Sequence, residues 1–212
     1  MALTSYSDLV SEIQNYAARD DAEFSAAIPM FIKLAELRLI NGHDLDGSDP
    51  VRVQEIEVEI DMTLVAGKGT LPTNYLSARN ISVSNGRYTL DYMDPKNLNL
   101  RLASGTSGTP LYYTIKGREL WTSTAMDGDL QVLYYFKPAA ISDTVTTNEL
   151  FAAYPELYLT AAMIEAYDWI SDDGEQAKAI NKHNGFATSL NSAAKRTRYS
   201  GGQRVMRPRV VA

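Results

Sequence analysis

In the stretch Glu55-Ile56-Glu57-Val58-Glu59-Ile60-Asp61-Met62-Thr63-Leu64 the hydrophobic period of the chain changes. Ile56, Val58, Ile60, Met62 and Leu64 alternate with Glu55, Glu57, Glu59, Asp61 and Thr63. This is the pattern of a strand with one buried and one wet face. Before and well after this strand, apolar residues recur at helical spacing instead. The chain therefore predicts an α+β fold: a helical bundle domain formed by its N- and C-terminal helices, an inserted antiparallel β-sandwich or barrel-like module, and an extended C-terminal arm. The expected ranges are 1–46 for the first half of the helical domain, 47–142 for the β module, 143–197 for the second half and 198–212 for the arm.

Working outward from that strand, turn signals follow at close spacing. Ile81 and Val83 lead through Ser84-Asn85-Gly86-Arg87 into Tyr88, Leu90 and Tyr92, and Asn-Gly between alternating runs is a strong hairpin signal. Asp94-Pro95 predicts the start of a short helix carrying Leu98 and Leu102. Leu111, Tyr113 and Ile115 turn at Lys116-Gly117-Arg118 into Leu120-Trp121, and Met126-Asp127-Gly128-Asp129 predicts a further hairpin into Leu130, Val132, Tyr134 and Phe136. Upstream, Ser5 or Ser7 can cap a helix with Leu9, Val10 and Ile13 on one face. Ile28, Phe31, Ile32, Ala35 and Leu39 define a second helix, with Pro29 expected in its first turn and Asn41-Gly42 at its end. Downstream, Pro155 opens a helix carrying Tyr158, Ala162 and Trp169. Ser171-Asp172-Asp173-Gly174 breaks it, and Ala177, Ile180, His183, Ala187, Leu190 and Ala194 form the next stripe. Gly201-Gly202 is expected as a hinge, with no burial pattern beyond it.

Charge is divided unevenly. From Lys195 onward the last 18 residues hold Lys195, Arg196, Arg198, Arg204, Arg207 and Arg209 and no acidic side chain, so at a net charge of −6 the rest carries −12. The body should repel DNA phosphates, and only the arm can attract them. Its charges alternate with Tyr199, Val205, Met206, Val210 and Val211, which a merely solubilising tail would not need. Arginine also outnumbers lysine five to one there, the residue suited to bidentate and stacked contacts. Such a segment grips a partner as an extended strand or hook.

The remaining signals exclude more than they assign. The chain has 212 residues, enough to bury a real core. It contains no cysteine, so disulfides, thiolate nucleophiles and cysteine zinc sites are ruled out and synthesis inside a cell is expected. Met1-Ala2-Leu3-Thr4-Ser5 lacks the features of a signal peptide, and no apolar run approaches the roughly 20 residues that cross a bilayer, so no membrane partner is expected. His43, Asp44, Asp46 and Asp49 resemble a calcium loop, but Asp49 stands where glycine is required. Gly67-Lys68-Gly69-Thr70 resembles a phosphate loop, but Met62 occupies its first glycine position, and a β-turn is the better reading. The strand carboxylates Glu55, Glu57, Glu59 and Asp61 fit a solvated or aggregation-guarded face. His183 sits on an apolar stripe and is expected as a satisfied, partly buried histidine. Asn80-Ile81-Ser82 is a glycosylation sequon without a secretory context. No catalytic residue, cofactor or metal is expected, and the chain does not read as an enzyme.

Several stretches in order resemble the head-to-tail adaptor (connector) proteins of short-tailed bacteriophages. They are Tyr6-Ser7-Asp8-Leu9, then Ile28-Pro29-x-Phe31-Ile32-x-Leu34-Ala35-Glu36-x-Arg38-Leu39, Leu71-Pro72-Thr73-Asn74-Tyr75-Leu76, and Gly108-Thr109-Pro110-x-Tyr112-Tyr113. Thr147-Asn148 through Tyr154-Pro155-x-x-Tyr158-Leu159 and Arg198-Tyr199-Ser200-Gly201-Gly202 complete the set. The match spans nearly the whole chain, and its force lies in the order of the motifs. Ile40-Asn41-Gly42-His43-Asp44 departs from it, being less basic than the family pattern. The resemblance implies a structural virion protein at the head–tail interface, made in the host cytoplasm: a dodecameric ring of copies of this chain that joins the portal protein to the tail nozzle or tube and extends the channel for double-stranded DNA. It implies partner docking by Arg196, Arg198, Tyr199, Arg204, Met206, Arg207 and Arg209. Two other functions compete, a DNA-binding protein anchored by the basic arm and a tail-associated hydrolase using the strand carboxylates.

Overall fold

The computed structural model describes residues 3–83, 88–105 and 107–199. The fold is α+β, and the chain divides into two units. One comprises Met1–Gln54 with Ala139–Ala212; the other is Glu55–Pro138, inserted between them.

The helical unit opens with α1 (Tyr6–Ala17). Ser5 caps it: the Ser5 hydroxyl accepts from the Asp8 backbone N–H while the Asp8 carboxylate accepts from the Ser5 N–H. This reciprocal box satisfies two otherwise unpaired donors. Ser5→Ala should lower the stability of the helical unit by about 1 kcal/mol, measurable as a lower urea midpoint with an unchanged slope.

Helix α2 (Ala22–Asn41) is capped by Asp21, whose side chain accepts from the Phe24 N–H. It starts well before Pro29, which lies inside the helix rather than in its first turn as the sequence predicted. The reason is packing. Starting at Asp21 places Phe24 in the core beside Ile28, Phe31, Ile32, Ala35 and Leu39, which offsets the hydrogen bond that proline cannot donate. Gly42 ends α2 at φ 73°, ψ −174°, and a Cβ there would come within 2.5 Å of the Ser48 carbonyl. That backbone conformation is essentially reserved for glycine.

After the β unit come α4 (Glu149–Ala153), α5 (Pro155–Trp169) and α6 (Asp173–Tyr199). Helix α5 is the axis of this unit: Leu157 through Ile164 are all buried, and α1, α2, α4 and α6 pack around it. A helix apolar on every side has to be covered on every side. Phe24, Phe31 and Trp169 form an aromatic cluster with centroids 5.7–6.1 Å apart.

The β unit holds β1 (Glu57–Leu64), β2 (Lys68–Thr70), β3 (Tyr75–Val83), β4 (Tyr88–Thr89), β5 (Asp91–Tyr92), α3 (Pro95–Ala103), β6 (Tyr112–Lys116), β7 (Glu119–Thr122) and β8 (Gly128–Phe136). They form two four-stranded sheets, β1-β8-β3-β4 and β2-β7-β6-β5. Both contribute to one core of Met62, Leu64, Leu71, Ile81, Leu90, Leu120, Leu130, Val132 and Tyr134. The alternation in β1 lies as the sequence predicts, with Met62 and Leu64 buried and Glu59, Asp61 and Thr63 exposed. Asp94 caps α3, and Leu98 is its buried residue.

The strand pairing corrects the sequence reading in three places. β7 and β8 do not form a hairpin: β8 crosses to the other sheet and pairs antiparallel with both β1 and β3, with Val132 opposite Ile60 and Ile81. The crossing is held where Gly67 donates to the Met126 carbonyl and accepts from the backbone N–H and hydroxyl of Thr122. β5 runs parallel to β6 in an otherwise antiparallel module. The turn expected at Gly67–Thr70 falls at Ala66–Gly67, both at positive φ, and Lys68–Thr70 is a strand. β3 and β4 pair as a hairpin through Val83 and Tyr88, and its predicted turn, Asn85-Gly86, lies outside the described residues.

Candidate functional site

Of the predicted docking residues, Arg196, Arg198 and Tyr199 occupy the last turn of α6. Arg204, Met206, Arg207 and Arg209, with the Gly201-Gly202 hinge, lie outside the described residues. The arm expected over 198–212 begins with two residues, Arg198 and Tyr199, that are still helical, because α6 runs to Tyr199. Ala193 and Ala194 favour helix there, and Lys195, Arg196 and Arg198 complement the negative end of the helix dipole.

The end of α6 is tied down by a polar ladder that sequence reasoning missed. Asn184, Asn191 and Arg198 stand seven residues apart, on one side of the helix. Asn184 donates to the Asp46 carbonyl (2.7 Å) and accepts from the Ser48 hydroxyl (2.6 Å). Asn191 donates to the Pro50 carbonyl (3.0 Å) and accepts from the Arg52 N–H (2.8 Å). Arg198 Nη2 donates to the Arg52 carbonyl (2.9 Å). Residues 46–52, which leave the turn at Gly47, are thus pinned along α6, with the Asp46, Pro50 and Arg52 carbonyls and the Arg52 N–H satisfied by side chains of the helix. The signal was present as a seven-residue polar repeat beside the apolar stripe, but amide residues on a helix resemble ordinary surface. Where the ladder ends, a depression of about 270 Å³ is lined by Asp49, Arg52, Thr188, Asn191, Lys195 and Arg198.

Beneath the ladder lies a buried charge network. The Arg38 guanidinium binds the Asp46 carboxylate and, through Nη2, Glu165 Oε1 at 2.8 Å. Asp46 also accepts from the Ser48 N–H at 3.1 Å and faces His43 Nδ1 at 3.2 Å. Burial works to raise the Asp46 carboxyl, but Arg38 and Ser48 together outweigh it and hold its pKa below the ordinary value. The polar loop of His43, Asp44, Asp46 and Asp49 is therefore organised by an internal arginine and closed by the His43–Ser48 bridge. Among the described residues no three metal-ligating side chains gather into a cluster.

His183 lies next to this network, buried in α6, with Nδ1 3.4 Å from the Thr160 hydroxyl and no partner for Nε2 among the described residues. It is less fully satisfied than the sequence reading expected. Burial first, and then the nearby Arg38 charge, push its pKa down to about 4, so it is neutral at physiological pH. In the β unit, Glu57 binds Arg79, while Glu59 and Asp61 are exposed on the wet face of β1. No helix among the described residues is long and apolar enough to cross a membrane.

The C-terminal end of α6 thus joins side-chain clamps on residues 46–52 to a charged depression on the surface. The family model described as "SU10 adaptor protein" matches residues 4–209, and the chain belongs to this family of structural phage adaptor proteins. No curated protein matches the chain.

Proposed function

We propose that this chain is the head-to-tail adaptor of a short-tailed phage, present in the virion as a ring of copies, twelve in the resembling proteins, between the portal and the tail nozzle. The family match over nearly the whole chain carries the reading. The charge split fits it. A body of −12 would let DNA slide through a channel without adhering, and the +6 of residues 195–212 supplies positive charge for a protein partner. The ladder of Asn184, Asn191 and Arg198 supports the same reading in mechanical terms. It fixes the helix from which the arm departs, so that Arg196, Arg198 and Tyr199 lead into Arg204, Met206, Arg207 and Arg209 from a rigid base.

The test is co-sedimentation with the portal ring of the same phage, using the full chain and a version ending at Tyr199. The full chain should co-sediment in a fixed ring stoichiometry, and truncation should weaken binding at least tenfold, about 1.4 kcal/mol or more. Equal binding of both versions would move the grip to the helical unit. If neither bound, the adaptor reading would fail.

A further inference from the structure

Among the described residues of the helical unit, two apolar surfaces are left uncovered. The first is the outer face of α2. Ala26, Met30, Leu34 and Leu37 are exposed there at spacings of four, four and three residues, with the last three between 37% and 54% accessible. A solvent-facing helical stripe would ordinarily be charged. Glu23 and Lys33 flank this one, and neither has an ionic partner among the described residues. The second surface is a groove of about 150 Å³ on α1, α5 and α6. Leu159, Met163 and Tyr167 floor it, and half-exposed Tyr16 with Lys178 and Lys182 form its rim.

The two surfaces lie on opposite flanks. Glu165 and Trp169 of α5 face α2, through Arg38 and through Phe24 and Phe31. At about 100° per residue, Leu159, Met163 and Tyr167 are turned roughly 140° away from them around α5. The order across the unit is therefore stripe, α2, α5, groove. A convex apolar ridge on one flank and an apolar groove on the other cannot satisfy each other within one chain. Two copies side by side can, with the ridge of one in the groove of the next. Charge also matches: the ridge offers Glu23 and Lys33, and at the groove, where Lys178 and Glu175 neutralise each other, Lys182 and, just beyond it, Glu12 are left to meet them.

We infer that the occupant of each surface is a second copy of this chain, joined head to tail, with the Met30–Leu34–Leu37 ridge of one subunit seated between Tyr16, Met163 and Lys182 of its neighbour. A heterologous contact of this kind generates a closed ring when its rotation closes. The inference rests on the ring reading given above and deepens it by naming the faces that meet. Exposed apolar patches of this sort mark protein contacts.

Photo-crosslinking tests the contact. Met30→p-benzoylphenylalanine and, separately, Tyr16→p-benzoylphenylalanine are introduced into the full chain, particles are assembled and irradiated, and linked peptides are sequenced. The position-30 probe should give a ladder of linked multimers, with most inter-subunit links falling in residues 155–182. The position-16 probe should link to residues 22–41 of a neighbour. Links from position 30 to α2 of another copy would mean a two-fold contact and overturn the proposal. So would links only to the portal or tail, or an intact ring in electron micrographs without any of these links. If the unmodified chain made no ring at all, the ring reading itself would fall, and this proposal with it.

Discussion

Replacing Arg38 with methionine should destabilise the helical unit by about 3–5 kcal/mol, the cost of breaking a buried ion network from one side. The side chain is only 8% exposed and neutralises two carboxylates, Asp46 and Glu165, which are themselves largely buried. Methionine fills much of the same volume, so the loss is mainly electrostatic: two negative charges are left in a poorly solvated place without a cation. The effect has a pH signature. Asp46 owes its lowered pKa to Arg38 and Ser48 working against burial. A depressed carboxyl contributes stability above its unfolded pKa and loses it as pH falls. In Arg38→Met that contribution is gone, so the variant should lose less stability on acidification than the wild type. The chain has two tryptophans, Trp121 in the β unit and Trp169 in the helical unit. In a Trp121→Phe background, Trp169 fluorescence therefore follows urea unfolding of the helical unit alone. Neutralising the orphaned acids in Arg38→Met/Asp46→Asn/Glu165→Gln should restore a large part of the loss. A single variant within 1 kcal/mol of wild type would show that the network carries little energy.

That network also illustrates how far the sequence could be read. Periodicity locates elements, because burial imposes it residue by residue: the alternation of Val58 through Leu64 and the buried His183, Ala187 and Ala194 of α6 lie where the spacing places them, whereas Ala177 is exposed and Ala179 is buried, and α5 is buried all round rather than along one stripe. Local rules mislead where a distant contact outweighs them. Pro29 suggested a helix start, yet burial of Phe24 draws α2 back to Ala22. Met126 through Asp129 looked like a hairpin, yet the partners of β8 are strands far away in sequence, β1 and β3. Which strand pairs with which is set by the shared core, and no short window contains that information. The same holds at the candidate site. Arg38 and Asp46 are eight residues apart, but Glu165, Asn184 and Asn191 join them only through the fold. The basic charge of the C-terminus could be read directly. That it is anchored through Asn184, Asn191 and Arg198 to residues 46–52 could not, because asparagines on a helix look like ordinary surface.

Acidification should destabilise the helical unit through His183. The imidazole is 1% exposed, and its pKa is pushed down to about 4. An unfolded histidine titrates near 6.5. Above that value the residue is neutral in both states and contributes no pH dependence. As pH falls below it, the unfolded chain takes up a proton that the folded chain refuses, so stability declines until the folded pKa is reached. Between pH 7 and pH 4.5 the loss should be on the order of 2 kcal/mol. The groups around the ring explain why the folded state refuses the proton. Burial is the largest cause and the Arg38 charge adds to it, while Asp46 and the Leu157 carbonyl pull the other way and are outweighed. Nε2 has no acceptor to receive a new N–H among the described residues. His183→Leu removes the titration while keeping an apolar side chain of similar reach. Its urea midpoint should then be flatter over the same pH range, with the wild type losing on the order of 2 kcal/mol more than the variant. Parallel profiles for the two proteins would show that His183 takes up its proton as readily folded as unfolded. The acid sensitivity of the helical unit would then have to come from the carboxylates around Arg38.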